Sequence, residues 1–427
     1  MSTVTIHSAK NIRGSLSLPG DKSISHRYAM LGAVADGTSR LENVSTGADC
    51  ASTLSCLKSL GVHWEKNGNS VVIYGRGANL QAPTVPLDCG NSGSTMRMLS
   101  GILAGQEFSS ELVGDESLSR RPMARIIAPL QEMGATISAS DGACPPLRIT
   151  GRKLKAIDYK VPVASAQVKS AVLFAGLFAD AETRVEEPVR TRDHGELALR
   201  AFGARVIQDG KQARIVGGQK LHGIEAAIPG DISSAAFFLC AAALFPGSQL
   251  ILTGLGLNPT RSYVLDLLVS MGVRISVTQV EEKQGELVGN VQAEGAELRG
   301  ATIRSPQTAM LIDEIPVLAA IAPYTTAGIE IRDARELRVK ESDRIAAIAT
   351  NFRAMGGMLK EYDDGLKIPG GQQLHGAEIN SFGDHRIAMA FAIAALRAKG
   401  ETTIKGAEAA VISYPGFFAT LNGLVQY

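Results

Sequence analysis

The sequence has little of what marks a secreted, membrane-bound or metal-holding chain. Its five cysteines, Cys50, Cys56, Cys89, Cys144 and Cys240, are an odd number, lie far apart and form no CxxC pair. None of the seven histidines stands in an HxH or HxxxH pair. Thiols so placed read as small buried hydrophobes of a reducing compartment, and no metal site is expected. An excess of charge is also missing: 43 Lys plus Arg against 42 Asp plus Glu leave a net +1. That balance argues against a nucleic-acid coat or an acidic tail, but leaves room for a local basic pocket. Met1 to Lys10 carries no apolar segment of the signal-peptide kind. The longest apolar run, Ala235 to Phe245, is far short of the roughly 20 residues of a membrane span. A cytoplasmic protein without membrane or nucleic-acid partners is the expectation.

What is present is a globular composition, 45% hydrophobic and 20% charged, over 427 residues. That length exceeds one ordinary core and points to two large domains. A short pattern recurs along it: a large apolar residue, two variable positions, another apolar residue, then Gly. It ends at Gly61, Gly134, Gly203, Gly272 and Gly356, with a weaker sixth copy at Gly423. Each copy predicts a helix end, with apolar residues facing the core and Gly in the left-handed position after it. Strand-like runs follow, as in Ala135–Ser138 and Val273–Val277. Upstream of each copy a polar turn opens an Ala-rich helix. The turns are Gly20–Ser23, Gly90–Ser94, Ala164–Gln167, Gly230–Ser234, Ile312–Glu314 and Gly383–Arg386. Six units about 70 residues long fit two domains of three better than a solenoid. Helices such as Ser170 to Phe178 and Ala235 to Phe245 leave almost no polar face, so they belong inside, with sheets outside.

The chemistry is then expected at the helix starts, which carry unpaired N–H groups and about half a positive charge. Several converging starts make an anion trap. Ser23, Ser94, Ser165 and Ser233 read first as caps or first-turn residues. Lys22 and Arg27 are harder to dismiss, because cations at the positive end of a helix oppose its dipole and call for an anion. Further basic residues stand beside other starts: Arg97, Arg120, Arg121, Arg338, Lys340, Arg344 and Arg386. Guanidinium groups suit bidentate contact with carboxylate and phosphate. Among them stand two carboxylates. Asp313 reads as a helix cap or as a general base. Glu341 reads as a partner of Lys340 or as a proton carrier.

Taken together these motifs resemble the 5-enolpyruvylshikimate-3-phosphate (EPSP) synthase family over essentially the whole chain. They are Leu18 to Arg27, Gly90 to Arg97, Arg121-Pro122, Ala164 to Gln167, Asp313-Glu314, Arg338 to Arg344, Gly383 to Arg386 and Ser413-Tyr414-Pro415, in the family's order. The resemblance implies an α/β fold of two inside-out domains, each of three βαβαββ units, with the active site in the cleft between them. One domain would span 20–228 and the other 1–19 plus 229–427, with hinges near 18–20 and 228–231. It implies transfer of the enolpyruvyl group of phosphoenolpyruvate to the 5-hydroxyl of shikimate 3-phosphate, without metal or organic cofactor, in a monomer.

By motif, Lys22, Ser23, Arg27, Ser165, Ala166, Gln167, Arg192, Asp313 and Lys340 would hold shikimate 3-phosphate. Lys22, Asn91, Gly93, Arg121, Gln167, Arg344, His385 and Arg386 would hold phosphoenolpyruvate. Asp313, Glu341 and Lys22 would carry the proton transfers. Three departures stand out. Ala166 replaces a common Ser, so Lys169 or Arg192 is expected to make up the phosphate contact. Glu336 stands where Asn is common, and Glu408 or Ala409 where a Lys often lies. Such features look like the family's second sequence class, some members of which tolerate the inhibitor glyphosate, whereas Gly93 is the residue of sensitive members; tolerance stays open. The rival readings are UDP-N-acetylglucosamine enolpyruvyl transferase and a non-catalytic anion-binding homologue. Against the first, Lys22-Ser23 replaces its Lys-Asn, and no cysteine lies in Ser117–Arg120. Against the second, Lys22, Asp313, Glu341 and Arg386 are intact.

Overall fold

Residues 2–427 are described by a computed structural model. The chain divides into two compact units. One comprises Gly20–Ile228 together with Glu282–Glu286; the other comprises the residues up to Pro19, Pro229–Glu281 and Leu287–Tyr427. Each unit has its own apolar core.

The Gly20–Ile228 unit contains six helices: α1 (Lys22–Ala33), α2 (Ala48–Ser59), α3 (Gly93–Ala104), α4 (Ala124–Glu132), α5 (Ala166–Gly176) and α6 (His194–Ala201). They alternate between two kinds. Odd-numbered helices are buried along almost their whole length, while even-numbered ones keep a polar face. Three four-stranded sheets repeat one pattern. In each, a short strand pairs in parallel with a second, and an antiparallel hairpin extends the sheet beyond it. The second strands are Thr38–Glu42, Ser109–Val113 and Glu182–Glu186.

The other unit repeats the plan with α7 (Ile232–Ala243), α8 (Tyr263–Ser270), the short α9 (Gln307–Leu311), α10 (Ile315–Ile321), α11 (Arg344–Ala354), α12 (His385–Ala395) and α13 (Phe417–Leu424). Every residue of α7, α10 and α12 is buried. The N-terminal segment completes two of this unit's sheets. Asn11–Ser17 pairs in parallel with Gln249–Gly256, and Thr3–Ile6 lies antiparallel to Thr402–Lys405. A helix without a solvent face is stabilised by packing alone, at about 1.5–3 kcal/mol for each side chain such as Phe237, Phe238 or Leu239 taken from water. Its polar chemistry is confined to its ends.

The recurring glycines do what their spacing predicts in five of six cases. Gly61, Gly134, Gly203, Gly272 and Gly356 all adopt positive φ just beyond a helix. The weak sixth copy is corrected: Gly423 lies inside α13, which runs on to Leu424 before the strand Val425–Gln426. The four serines read as caps or first-turn residues take those places. Asp21, Ser92, Asp231 and Asp384 cap α1, α3, α7 and α12, leaving Ser23, Ser94 and Ser233 in the first turn; only Ser165 is itself a cap, of α5. An Asp at this position both accepts a free N–H and places negative charge on the positive helix end.

Helices α3 and α5 cross where Gly101 faces the backbone of Ala171. A Cβ on Gly101 would stand 2.1 Å from the Ala171 carbonyl oxygen and 2.9 Å from its carbon. Backbone in a packed helix cannot yield by that amount without parting the two helices. Gly101→Ala should therefore destabilise the protein by about 2–3 kcal/mol, read as a lower urea midpoint at unchanged slope.

Candidate active site

The residues singled out by sequence fall into two clusters, one in each unit. In the Gly20–Ile228 unit, Asp21 accepts from the Ile24 N–H and so fixes Lys22 as the first residue of α1. Lys22 Nζ lies 2.8 Å from Asp49 Oδ2, a carboxylate in the first turn of α2. Arg27, one turn on, is buried and donates to the Ser23 carbonyl at 2.9 Å and to Ser170 Oγ at 2.9 Å.

The loop before α3 supplies a second group. Arg121 Nη2 donates to Asn91 Oδ1 at 2.8 Å and to Ser117 Oγ at 3.0 Å, and Asn91 Nδ2 in turn donates to Asp115. Gly93 opens α3 between two guanidinium groups. A Cβ there would come within 2.7 Å of Arg97 Nη1 and 3.5 Å of Arg121 Nη1, so a larger residue would displace the Arg97 guanidinium. Arg97 Nη1 donates to Gln167 Oε1 at 2.8 Å, and Gln167 Nε2 donates to Ser94 Oγ at 2.8 Å. Arg97 thus fixes which way the Gln167 amide points. Behind these groups runs a buried hydroxyl chain. His26 Nδ1 meets Thr53 Oγ1 at 2.7 Å, Thr53 meets Thr95 Oγ1 at 2.6 Å, and Thr95 donates to Ser92 Oγ at 2.8 Å. It joins the starts of α1, α2 and α3, and Thr95 also reaches the Asp49 carbonyl.

One expectation fails here. Lys169 is unavailable to a phosphate: its Nζ lies 2.8 Å from both Glu187 Oε2 and Glu196 Oε1, and all three side chains are at most 1% exposed. Burial alone would lower the lysine's pKa, but the two carboxylates reverse the shift and hold it charged. Of the two substitutes for the lost serine, Arg192 remains, half-buried in the segment before α6.

In the other unit the centre is Arg344, first residue of α11 and 1% exposed. Its Nε lies 2.8 Å from Asp384 Oδ2, its Nη2 2.6 Å from Glu341 Oε2, and its Nη1 3.6 Å from Asp313 Oδ1. Burial opposes the charge, yet Asp384 and Glu341 outweigh it and raise the pKa further. Asp384 is fully buried, caps α12 through the Arg386 N–H at 2.9 Å and accepts from Ser342 Oγ at 3.1 Å. Arg386 donates to the Asp313 carbonyl at 2.7 Å, with its Nε 3.9 Å from the Asp313 carboxylate. Asp313 does not cap α10, which starts without a side-chain cap. Glu341 is the partner of Arg344, rather than a simple partner of Lys340. Half-buried Lys340 has its pKa lowered by desolvation and by Arg344, against the pull of Asp313.

The structure therefore brings Asp313, Glu341, Arg344 and Arg386 together, with Lys340 within their field and His385 buried beside Asp384. It gathers Asn91, Gly93, Arg121 and Gln167 around Arg97 in the first unit. Arg338 belongs to neither cluster: it is tied to Asp343, Glu361 and the carbonyls of Tyr362 and Asp363. Glu408 is exposed and accepts from the Ser2 N–H, away from both. Sequence reading missed Asp49, whose only signal is its place at the start of a helix, and Asp384, hidden inside a quoted turn. Among the described residues no group of three or more His, Cys, Asp or Glu side chains could hold a metal ion, and no helix is long and apolar enough to cross a membrane.

Comparison with known proteins adds to this geometry. Residues 6–421 match the family model of EPSP synthase (3-phosphoshikimate 1-carboxyvinyltransferase). The 3-phosphoshikimate 1-carboxyvinyltransferase of Koribacter versatilis is 60% identical over 427 residues, covering 100% of both chains. That of Solibacter usitatus is 54% identical, covering 99% of each. Among solved structures, the EPSP synthase of Acinetobacter baumannii superposes with a TM-score of 0.87 at 42% identity over 99% of this chain and 98% of that one. The enolpyruvyl transferase NikO of Streptomyces tendae shares the fold, with a TM-score of 0.79 at 19% identity over 98% and 96%.

The hydroxyl chain makes a pH prediction. Burial, Lys22 and Arg27 hold the His26 pKa well below its ordinary value, against the weaker pull of Asp21. A histidine kept neutral in the fold but free to protonate when unfolded stabilises above the unfolded pKa, about 6.5, and that contribution is lost as pH falls. Melting temperature should drop between pH 7 and pH 5 (roughly the window set by that pKa) more steeply in the wild type than in His26→Asn. Parallel slopes would contradict this account of His26.

Proposed function

The chain belongs to the EPSP synthase family, and from that membership we propose that it transfers the enolpyruvyl group of phosphoenolpyruvate to the 5-hydroxyl of shikimate 3-phosphate, releasing phosphate. The observation that carries the reading is Arg344. It is a buried guanidinium at a helix start with Asp313 and Glu341 both on it, and Arg386 holds the Asp313 backbone. Two carboxylates beside one cation suited to an anionic ligand support this reading.

In the addition step, Asp313 takes the proton of the 5-hydroxyl as its oxygen attacks C2 of phosphoenolpyruvate, and the methylene carbon gains a proton. Elimination from the tetrahedral ketal then breaks the bond to phosphate and removes a proton from that methyl carbon. Glu341 is assigned the carbon proton. Held 2.6 Å from Arg344, it would give that proton in the addition and take one back in the elimination. Lys22 assists at the hydroxyl and leaving-group side. Ser23, Arg27, Ser165, the Ala166 backbone, Gln167, Arg192 and Lys340 are assigned to shikimate 3-phosphate. Asn91, Gly93, Arg121, Arg344, His385 and Arg386 are assigned to phosphoenolpyruvate. Positioning and preorganised charge supply the rate, and no cofactor is invoked. A monomer acting in the cytoplasm, with glyphosate competing at the phosphoenolpyruvate residues, completes the reading. The relatives' shared name favours this acceptor over a UDP-sugar.

Phosphate release from phosphoenolpyruvate should require shikimate 3-phosphate. Release only with UDP-N-acetylglucosamine would overturn the acceptor assignment, and release with neither would leave an anion-binding homologue. Asp313→Ala should lower kcat by about 10²–10⁴-fold while calorimetry still shows shikimate 3-phosphate binding. Near-normal kcat would remove Asp313 from the base role. Lys22→Ala should weaken binding and turnover together; a loss confined to binding would leave Lys22 an electrostatic role only.

A further inference from the structure

The buried triad of Lys169, Glu187 and Glu196 has no part in the chemistry just described, yet it is costly to build. Two carboxylates and one ammonium, all at most 1% exposed, are withdrawn from water together. Its members come from three separate elements. Lys169 lies in the first turn of α5, its N–H bonded to the carbonyl of the cap Ser165. Glu196 lies in α6. Glu187 ends the strand Glu182–Glu186 and grips the segment that follows: Thr191 donates to it through both its N–H, at 3.2 Å, and its hydroxyl.

Two of these elements carry or adjoin residues assigned to the phosphorylated substrate, and α6 packs against the contact between Ser170 and Arg27. Ser165 and Gln167 flank the α5 start. Arg192 directly follows Thr191. Ser170, next to Lys169, receives Arg27 at 2.9 Å, and a Cβ on Gly195, next to Glu196, would stand 2.6 Å from Ser170 Oγ and 3.6 Å from Arg27 Nε. We propose that the Lys169–Glu187–Glu196 triad is a positioning device that sets the α5 start, the Arg192 segment and Arg27 in register for shikimate 3-phosphate. The inference rests on the assignment of that substrate made above.

Mechanically the triad is a cross-brace. A point charge between two carboxylates fixes two distances at once, and hydrocarbon contacts there would tolerate sliding. It also explains how the chain does without a second serine at Ala166: the remaining donors are held in place by the brace rather than supplemented by Lys169. Burial raises the Glu196 pKa against the pull of Lys169.

The test compares three variants with the wild type in steady-state kinetics and in calorimetric titration with shikimate 3-phosphate. In Lys169→Met/Glu187→Gln/Glu196→Gln, which removes all three charges at nearly constant volume, KM and Kd for shikimate 3-phosphate should rise about tenfold. In the same variant kcat and KM for phosphoenolpyruvate should stay within about twofold. Glu196→Gln alone removes the charge of the α6 limb of the brace and should raise KM for shikimate 3-phosphate about twofold to threefold, less than the triple variant. Thr191→Val, which loosens only the Arg192 segment, should raise KM for shikimate 3-phosphate about threefold; it keeps the proposal testable should the triple variant fail to fold. An unchanged KM for shikimate 3-phosphate in a folded triple variant, or in Thr191→Val, overturns the proposal. So does an equal decline in all three constants, which is what simple destabilisation produces. A wild-type enzyme with no turnover on shikimate 3-phosphate would instead overturn the substrate assignment itself.

Discussion

A cation at a helix N-terminus is held against the positive end of the dipole, and much of this structure answers that one conflict. Lys22 opens α1, Arg344 opens α11 and Arg386 stands in the first turn of α12. Each is made tolerable by an aspartate from another helix or turn: Asp49 for Lys22, Asp384 for Arg344, and Asp313, through carboxylate and carbonyl, for Arg386. These acids are more than counter-ions. Asp384 caps α12 while it binds Arg344, so one buried carboxylate registers two helix starts against each other. Removing it would strand a guanidinium that is 1% exposed, a loss of the order of 3–5 kcal/mol for a buried pair broken on one side.

The inside-out plan explains why the chemistry gathers at these ends. Helices such as α7 and α12 are buried on every side, so they offer no flank on which a polar side chain could meet a ligand. Their first turns are where backbone N–H groups remain unsatisfied and where polar residues are least costly. The same packing leaves little freedom elsewhere. Gly101 is small because the Ala171 backbone already fills the space a side chain would need. Fold and site obey one rule: apolar length inside, charge at the tip.

Much of this was legible in the chain. Five of the six helix-ending glycines stood out because positive φ after a helix strongly favours that residue, and the Ala-rich helices because they lack a polar stripe. Gly423 misled because the spacing held while the helix ran on to Leu424. The serines were found at caps or in first turns, but Asp and Ser are comparable as caps, so the local sequence left open the choice between Asp21 and Ser23, or between Asp231 and Ser233. The clusters around Arg344 and Gly93 were legible as motifs, since their cations stand in or beside turns that open helices. Asp49 and the partners of Lys169 were not. Nothing near Lys169 announces that Glu187 and Glu196 will surround it, because the pairing is made by tertiary packing across tens of residues.

That difference bears on how anion recognition works here. Two of the cations assigned to substrate face the protein's own carboxylates: Arg344 meets Asp384, Glu341 and Asp313, and Lys22 meets Asp49. At these two, an incoming phosphate or carboxylate must share or replace a resident partner. Sharing is least costly where the resident bond is longest, and around Arg344 that is Asp313 at 3.6 Å, against 2.6 and 2.8 Å for Glu341 and Asp384. A ligand drawing on Nη1 would loosen Asp313 from Arg344 while leaving Asp384 to hold the guanidinium in place. The carboxylate most easily released is thus the one assigned to take the hydroxyl proton. On the proposed assignment, arrival of the anion would free the base, while the buried aspartate would hold the guanidinium in place.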